Sequence, residues 1–100
     1  MTFSKRKGDR FEREIVAAAL AHDLEARRVP LSGAVPGYPG DVILNDKHGH
    51  RWLIEAKKRA EGFKQIYRWK AGADVVVISA DRQTALAVLD LDALLMVLAR

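Results

Sequence analysis

The runs "DVILN" (41–45) and "RWLIEAK" (51–57), separated by "DKHGH", constrain this chain more than any other feature. Both are rich in Val, Ile, Leu and Trp, and the short Asp- and Gly-containing segment between them predicts a hairpin. Strand side chains alternate between faces, so Arg51, Leu53, Glu55 and Lys57 share one face and Trp52, Ile54 and Ala56 the other. If Leu44 pairs with Trp52, Asp41 lies opposite Glu55, with Cβ atoms ~5 Å apart. Two carboxylates placed so repel each other, and a divalent cation between them removes the repulsion. Their hard oxygens suit Mg²⁺ or Mn²⁺, ions that keep several waters and take few protein ligands. Lys57 follows ~7 Å along the same face, within reach of a water or phosphate held there. The competing explanation is a solvated sheet edge with a cross-strand Lys–Asp pair and a leftover Glu. Spacing alone leaves both open.

Around the hairpin the pattern is mixed. Residues 4 to 13, "SKRKGDRFER", carry a dense basic arm that runs into a helical pattern of about five turns, with apolar residues Phe11, Ile15, Ala18, Ala19, Leu20 and Leu24. A short strand is predicted near Arg27 to Pro30, and "LSGAVPGYPG" reads as a loop. A short helix follows over Gly62 to Ala71, then strands in "ADVVVIS" and "ALAVLDL" joined by "ADRQT", then a last helix over Asp92 to Leu98. This order predicts a single α/β domain over 1–100, with helices flanking one mixed sheet.

A chain of 100 residues has room for one hydrophobic core. No apolar run approaches the ~18 residues of a membrane span, and the basic N-terminus lacks the apolar core of a signal peptide. The absence of cysteine excludes a disulfide scaffold and a thiolate zinc site, and fits a reducing cytoplasm. A net charge of +4 suits a polyanionic partner. His22, His48 and His50 have no His or Cys partner at metal-ligand spacing and are read as surface residues. Tyr67 and Trp69 are read as core, with base stacking as the alternative.

"PGYPGDVIL" followed by "LIEAK" resembles the core of the PD-(D/E)XK nuclease superfamily. The resemblance implies a restriction-endonuclease-like fold, with Asp41 and Glu55 as metal ligands and Lys57 orienting or activating a water. Gly40 separates Pro39 from Asp41, so the leading dipeptide is "GD" rather than "PD"; that proline is not a ligand. "RKGDRFEREIV" is similar to the opening of archaeal-type Holliday-junction resolvases, also found in phages, and this implies that Glu12 contributes to the metal site. Ser32 in "PLSGAVPG" matches a functional loop serine of that family, across a loop of different length. Glu12 also has a structural explanation, because Asp9 and Glu12 have the spacing of a capping box.

The expected activity is therefore Mg²⁺-dependent hydrolysis of DNA phosphodiester bonds (Mn²⁺ as a substitute ion) in four-way junctions, by a homodimer. Lys5, Arg6, Lys7, Arg10, Arg13, Ser32, Lys58 and Arg59 are the candidate DNA contacts, and Lys64 and Arg68 would extend their path. The alternatives are a nuclease acting on duplex or flapped DNA, and a basic nucleic-acid-binding module without catalysis.

Overall fold

The computed structural model describes residues 3–29 and 41–100, with side chains from Lys7 onward. The segment read as the Gly- and Pro-rich loop lies outside the described residues. Two compact units are distinguished, Met1–Lys58 with Leu95–Arg100, and Arg59–Leu94.

The first unit opens with α1, Phe3–Ala21. The stretch read as a basic arm is thus the first part of the helix itself. Lys, Arg and Glu are good helix formers, and one glycine, Gly8, costs only about 1 kcal/mol against Ala. Because the helix begins at Phe3, Asp9 lies in its interior, and the capping-box explanation of Glu12 falls. The helix ends in a Schellman arrangement. The Leu24 amide donates to the Ala19 carbonyl at 3.1 Å and the Asp23 amide to that of Leu20 at 3.0 Å, with Asp23 in the left-handed region at φ 62°. Ala19 and Leu24 are buried, whereas Leu20 is 54% exposed. The inward row of α1 is therefore Glu12, Ile15 and Ala19, and Leu20 is not part of it.

Three antiparallel strands follow, β1 (Glu25–Arg28), β2 (Val42–Asn45) and β3 (Arg51–Ile54), in the order β1-β2-β3. Val42 pairs with Ile54 and Leu44 with Trp52, the register expected from the sequence. The central strand is apolar on both faces, and Val42, Ile43 and Leu44 are all buried. Helix α1 packs against β1 and β2, and Ala19, Leu24, Leu44 and Leu95 form the core. Burying such residues stabilises by roughly 1.5–3 kcal/mol for each large side chain.

The hairpin turn is organised by Asp46. Its Oδ1 accepts the amides of His48 and His50, both at 2.9 Å, and its Oδ2 accepts the Trp52 indole N–H at 2.9 Å. Gly49 supplies the positive φ of 82° that the turn requires.

The second unit contains α2 (Lys64–Lys70) and an antiparallel pair, β4 (Val75–Ile78) with β5 (Leu86–Leu89). The expected single mixed sheet is thus replaced, among the described residues, by two separate antiparallel sheets. The short turns that join β2 to β3 and β4 to β5 favour antiparallel pairing, since a parallel pair needs a crossover of a dozen or more residues. Tyr67 is 75% and Trp69 53% exposed, so neither is core. Helix α3, Leu91–Leu98, closes the chain. No described helix is long and apolar enough to cross a membrane.

Candidate active site

Asp41 stands where β2 begins, and its backbone faces two ways. Its carbonyl accepts the Val29 amide of the β1 side at 2.9 Å, while its own amide donates to Ile54 of β3 at 2.7 Å. In a flat strand both groups of one residue point to the same neighbour, so the chain turns at this residue. Its side chain reaches β3 as well: Oδ2 accepts the Ala56 amide at 2.8 Å. Ala56 lies between Glu55 and Lys57, so the Asp41 carboxylate is held against the segment that carries both.

Glu55 and Lys57 extend beyond the last ladder pair. Lys57 Nζ lies 3.1 Å from Glu55 Oε1, with both side chains more than half exposed. This is the same-face contact expected from a two-residue period. An exposed pair of this kind contributes little to stability, because each charge remains hydrated. It leaves a solvent-accessible carboxylate and ammonium beside Asp41.

Glu12 is placed differently. It is the buried charged residue among the described residues, at 8% exposure. Arg28, on β1, donates from Nε to Glu12 Oε1 at 3.0 Å and from Nη2 to Asp9 Oδ1 at 2.9 Å. Sequence spacing gave no sign of Arg28, which is 16 residues from Glu12. The cue was available only as one Arg in a short strand near two acids of a neighbouring helix.

Among the described residues, no group of three or more His, Asp or Glu side chains is gathered as a ligand cluster. The donor chemistry nevertheless fits a hard divalent cation. Asp41 and Glu55 supply carboxylate oxygens at the ends of paired strands, and an ion that retains its waters needs no more than one or two such ligands.

The basic candidates separate by position. Lys5, Arg6, Lys7, Arg10 and Arg13 lie along α1, where Arg10 and Arg13 are exposed and Lys7 is half-buried; the side chains of Lys5 and Arg6 are outside the described ones. Lys58 sits 5.2 Å from the Phe11 ring centre and 4.0 Å from Glu14 Oε2, so it is partly committed to α1. Arg59 is exposed, and so are Lys64 and Arg68 of α2. Ser32 lies outside the described residues. His48 and His50 are exposed, as expected, with His50 stacked edge-on against Trp52 at 4.7 Å.

The family model described as archaeal Holliday junction resolvase (Hjc) matches residues 3–93. No curated protein and no solved structure matches the chain. The matched span contains α1, the Asp41–Glu55–Lys57 hairpin and all but the last residue of the second unit. This chain belongs to the archaeal Holliday junction resolvase family, whose activity is that of a junction-resolving endonuclease.

Proposed function

We propose that the chain is one nuclease domain of the PD-(D/E)XK type, spanning 1–100, that cleaves four-way DNA junctions with Mg²⁺, Mn²⁺ serving as a substitute. The observation that carries this reading is the Asp41 carboxylate held on the amide between Glu55 and Lys57. It brings two carboxylates and an ammonium to one strand end, a set suited to metal-assisted phosphodiester hydrolysis. A divalent ion held by Asp41 and Glu55 would polarise the scissile phosphate and lower the pKa of a water. Lys57 orients the attacking water and offsets charge on the phosphate oxygens. Glu12 would assist the metal or its water shell, and Ser32 a phosphate. Lys5, Arg6, Lys7, Arg10, Arg13, Lys58 and Arg59 neutralise DNA backbone charge.

The active form in this proposal is a homodimer. Resolving a junction takes two opposed nicks, which paired sites supply, and a two-fold copy is the commonest partner for uncovered apolar surface. The test is cleavage of four-way, flapped and linear DNA, with and without Mg²⁺. Paired nicks confined to the junction support the proposal. Cleavage that persists in a chelator removes the metal from it, and equal cutting of linear duplex would indicate a general nuclease.

A further inference from the structure

Helix α2 turns only a narrow row toward its own unit. Phe63, just before the helix, Ile66 and Lys70 are half-buried, at the spacing of three and four that one helix face requires. The Lys70 ammonium reaches Asp90 at 3.5 Å, so that cation is committed inward. Lys64, Gln65, Tyr67, Arg68 and Trp69 are all exposed, Tyr67 at 75% and Trp69 at 53%. At about 100° per residue, Lys64 and Arg68 run down the middle of this outer face, with Tyr67 on one flank and Trp69 on the other. The sequence of the helix, "KQIYRWK", holds no acid. A second copy set against this face by a two-fold axis would bring the same patch onto itself, cation against cation. A nucleic-acid strand suits both parts of it. Phosphates match the Lys64–Arg68 stripe, and base faces stack on the flanking rings. The rings also select among DNA forms. Inside continuous duplex each base is covered by its neighbours above and below, whereas an unpaired or branch-point nucleotide presents an open face.

We propose that the outer face of α2 is a contact surface for DNA with unstacked bases, where Trp69 and Tyr67 stack on nucleobases and Lys64 and Arg68 hold phosphates. This rests on the reading of the chain as a junction nuclease. It adds to that reading a preference for branched and single-stranded DNA over continuous duplex, carried by two aromatic rings that take no part in the cleavage chemistry.

The experiment measures Kd without metal for a four-way junction, oligo-dT and a linear duplex, across salt concentrations, in wild type, Trp69→Ala, Trp69→Phe, Tyr67→Ala and Arg68→Ala. Trp69→Ala and Tyr67→Ala should each weaken junction and oligo-dT binding roughly 5–100-fold, the usual loss when an aromatic partner of a base is removed, and leave duplex Kd unchanged. Their salt slopes should stay as in wild type, because no phosphate contact is lost. Arg68→Ala should flatten the slope on oligo-dT by roughly 0.7. Trp69→Phe keeps a ring and should recover much of the affinity. Oligo-dT should quench the tryptophan emission of wild type, and Trp69→Phe should lose that quench. Equal weakening on junction and duplex, unchanged affinity in both Ala variants, or an unchanged slope in Arg68→Ala would overturn the proposal. A fall in mass by light scattering along with the lost affinity would overturn it too, since a second copy would then cover α2. If Trp69→Ala does not fold, the emission decides: a quench that persists in Trp69→Phe overturns the proposal. Wild type that binds none of these DNAs removes the nuclease reading itself, whereas tight wild-type binding with unchanged variants removes this inference alone.

Discussion

The carboxylate of Asp41 accepts the backbone amide of Ala56 at 2.8 Å, across the mouth of the β2–β3 hairpin. That bond gives the aspartate a structural duty as well as a proposed chemical one, and the two can be separated. Asn retains an oxygen that accepts the Ala56 amide but carries no charge. Asp41→Asn should therefore leave the melting temperature nearly unchanged while abolishing Mg²⁺-dependent cleavage and sparing junction binding. Asp41→Ala should lose about 1.5 kcal/mol besides, the usual worth of a hydrogen bond to a charged group. Glu55→Gln should match Asp41→Asn in activity without a stability cost. Thermal melts beside a cleavage assay check this, and cleavage surviving either charge removal would move the site elsewhere.

Asp46 predicts an acid limit on the hairpin. The Trp52 indole N–H is the main group holding its carboxyl below the ordinary value; the amides of His50 and His48 and the charge of His50 act in the same direction, and desolvation opposes them. A carboxyl whose folded pKa is depressed contributes stability above its unfolded value, and that contribution is lost as pH falls through the folded one. The stabilisation is thus complete above about pH 5 and fades below about pH 4, where the unfolded carboxyl begins to bind protons. The gap in melting temperature between wild type and Asp46→Asn should narrow across that range. A gap that is constant with pH would show that the carboxylate charge plays no part in the turn.

Lys5, Arg6 and Lys7 are consecutive positions of α1, and successive positions of a helix step about 100° around its axis at 3.6 residues per turn. Three consecutive helical positions cannot all face one DNA strand. Replacing all three by Ala should therefore change the log–log salt slope of binding by less than three contacts' worth, each being roughly 0.9 on duplex DNA. Junction binding titrated across salt concentrations measures it. A full three-contact change would mean that the segment leaves the helix when DNA binds, and no change would make it a solvated end.

Helix α3 sets the positions for testing the proposed dimer. Leu95 is fully buried, while Met96 and Val97 are 52% and 57% exposed. Leu95→Glu would damage the core, as burying a charge without a partner does. Met96→Glu and Val97→Glu place the charge on the outward side. At least one should convert a dimer into soluble monomer of 11.2 kDa that binds a junction less tightly. Light scattering decides it, and a wild-type mass already at one chain would remove the dimer from the proposal.

What could be read from the sequence was local. The β2–β3 register follows from a two-residue period and a short turn, so the pairing of Leu44 with Trp52 and the same-face contact of Glu55 with Lys57 were legible in the letters alone. Five consecutive apolar residues, Leu94 to Leu98, likewise required some of α3 to face outward, because neighbouring helical positions point around the axis. Tertiary structure decided the rest. It chose Leu95 for the core and left Met96 and Val97 outside, since only the docked helix has an inner side. It extended α1 back to Phe3, which turned an expected cap at Asp9 into a helix-face carboxylate. It also joined Arg28 to Glu12 and Asp9, 16 and 19 residues away. A charge pair at that separation has no period to announce it. It exists because β1 runs antiparallel to β2 beneath α1, and a buried carboxylate must be met by whatever cation that packing brings near.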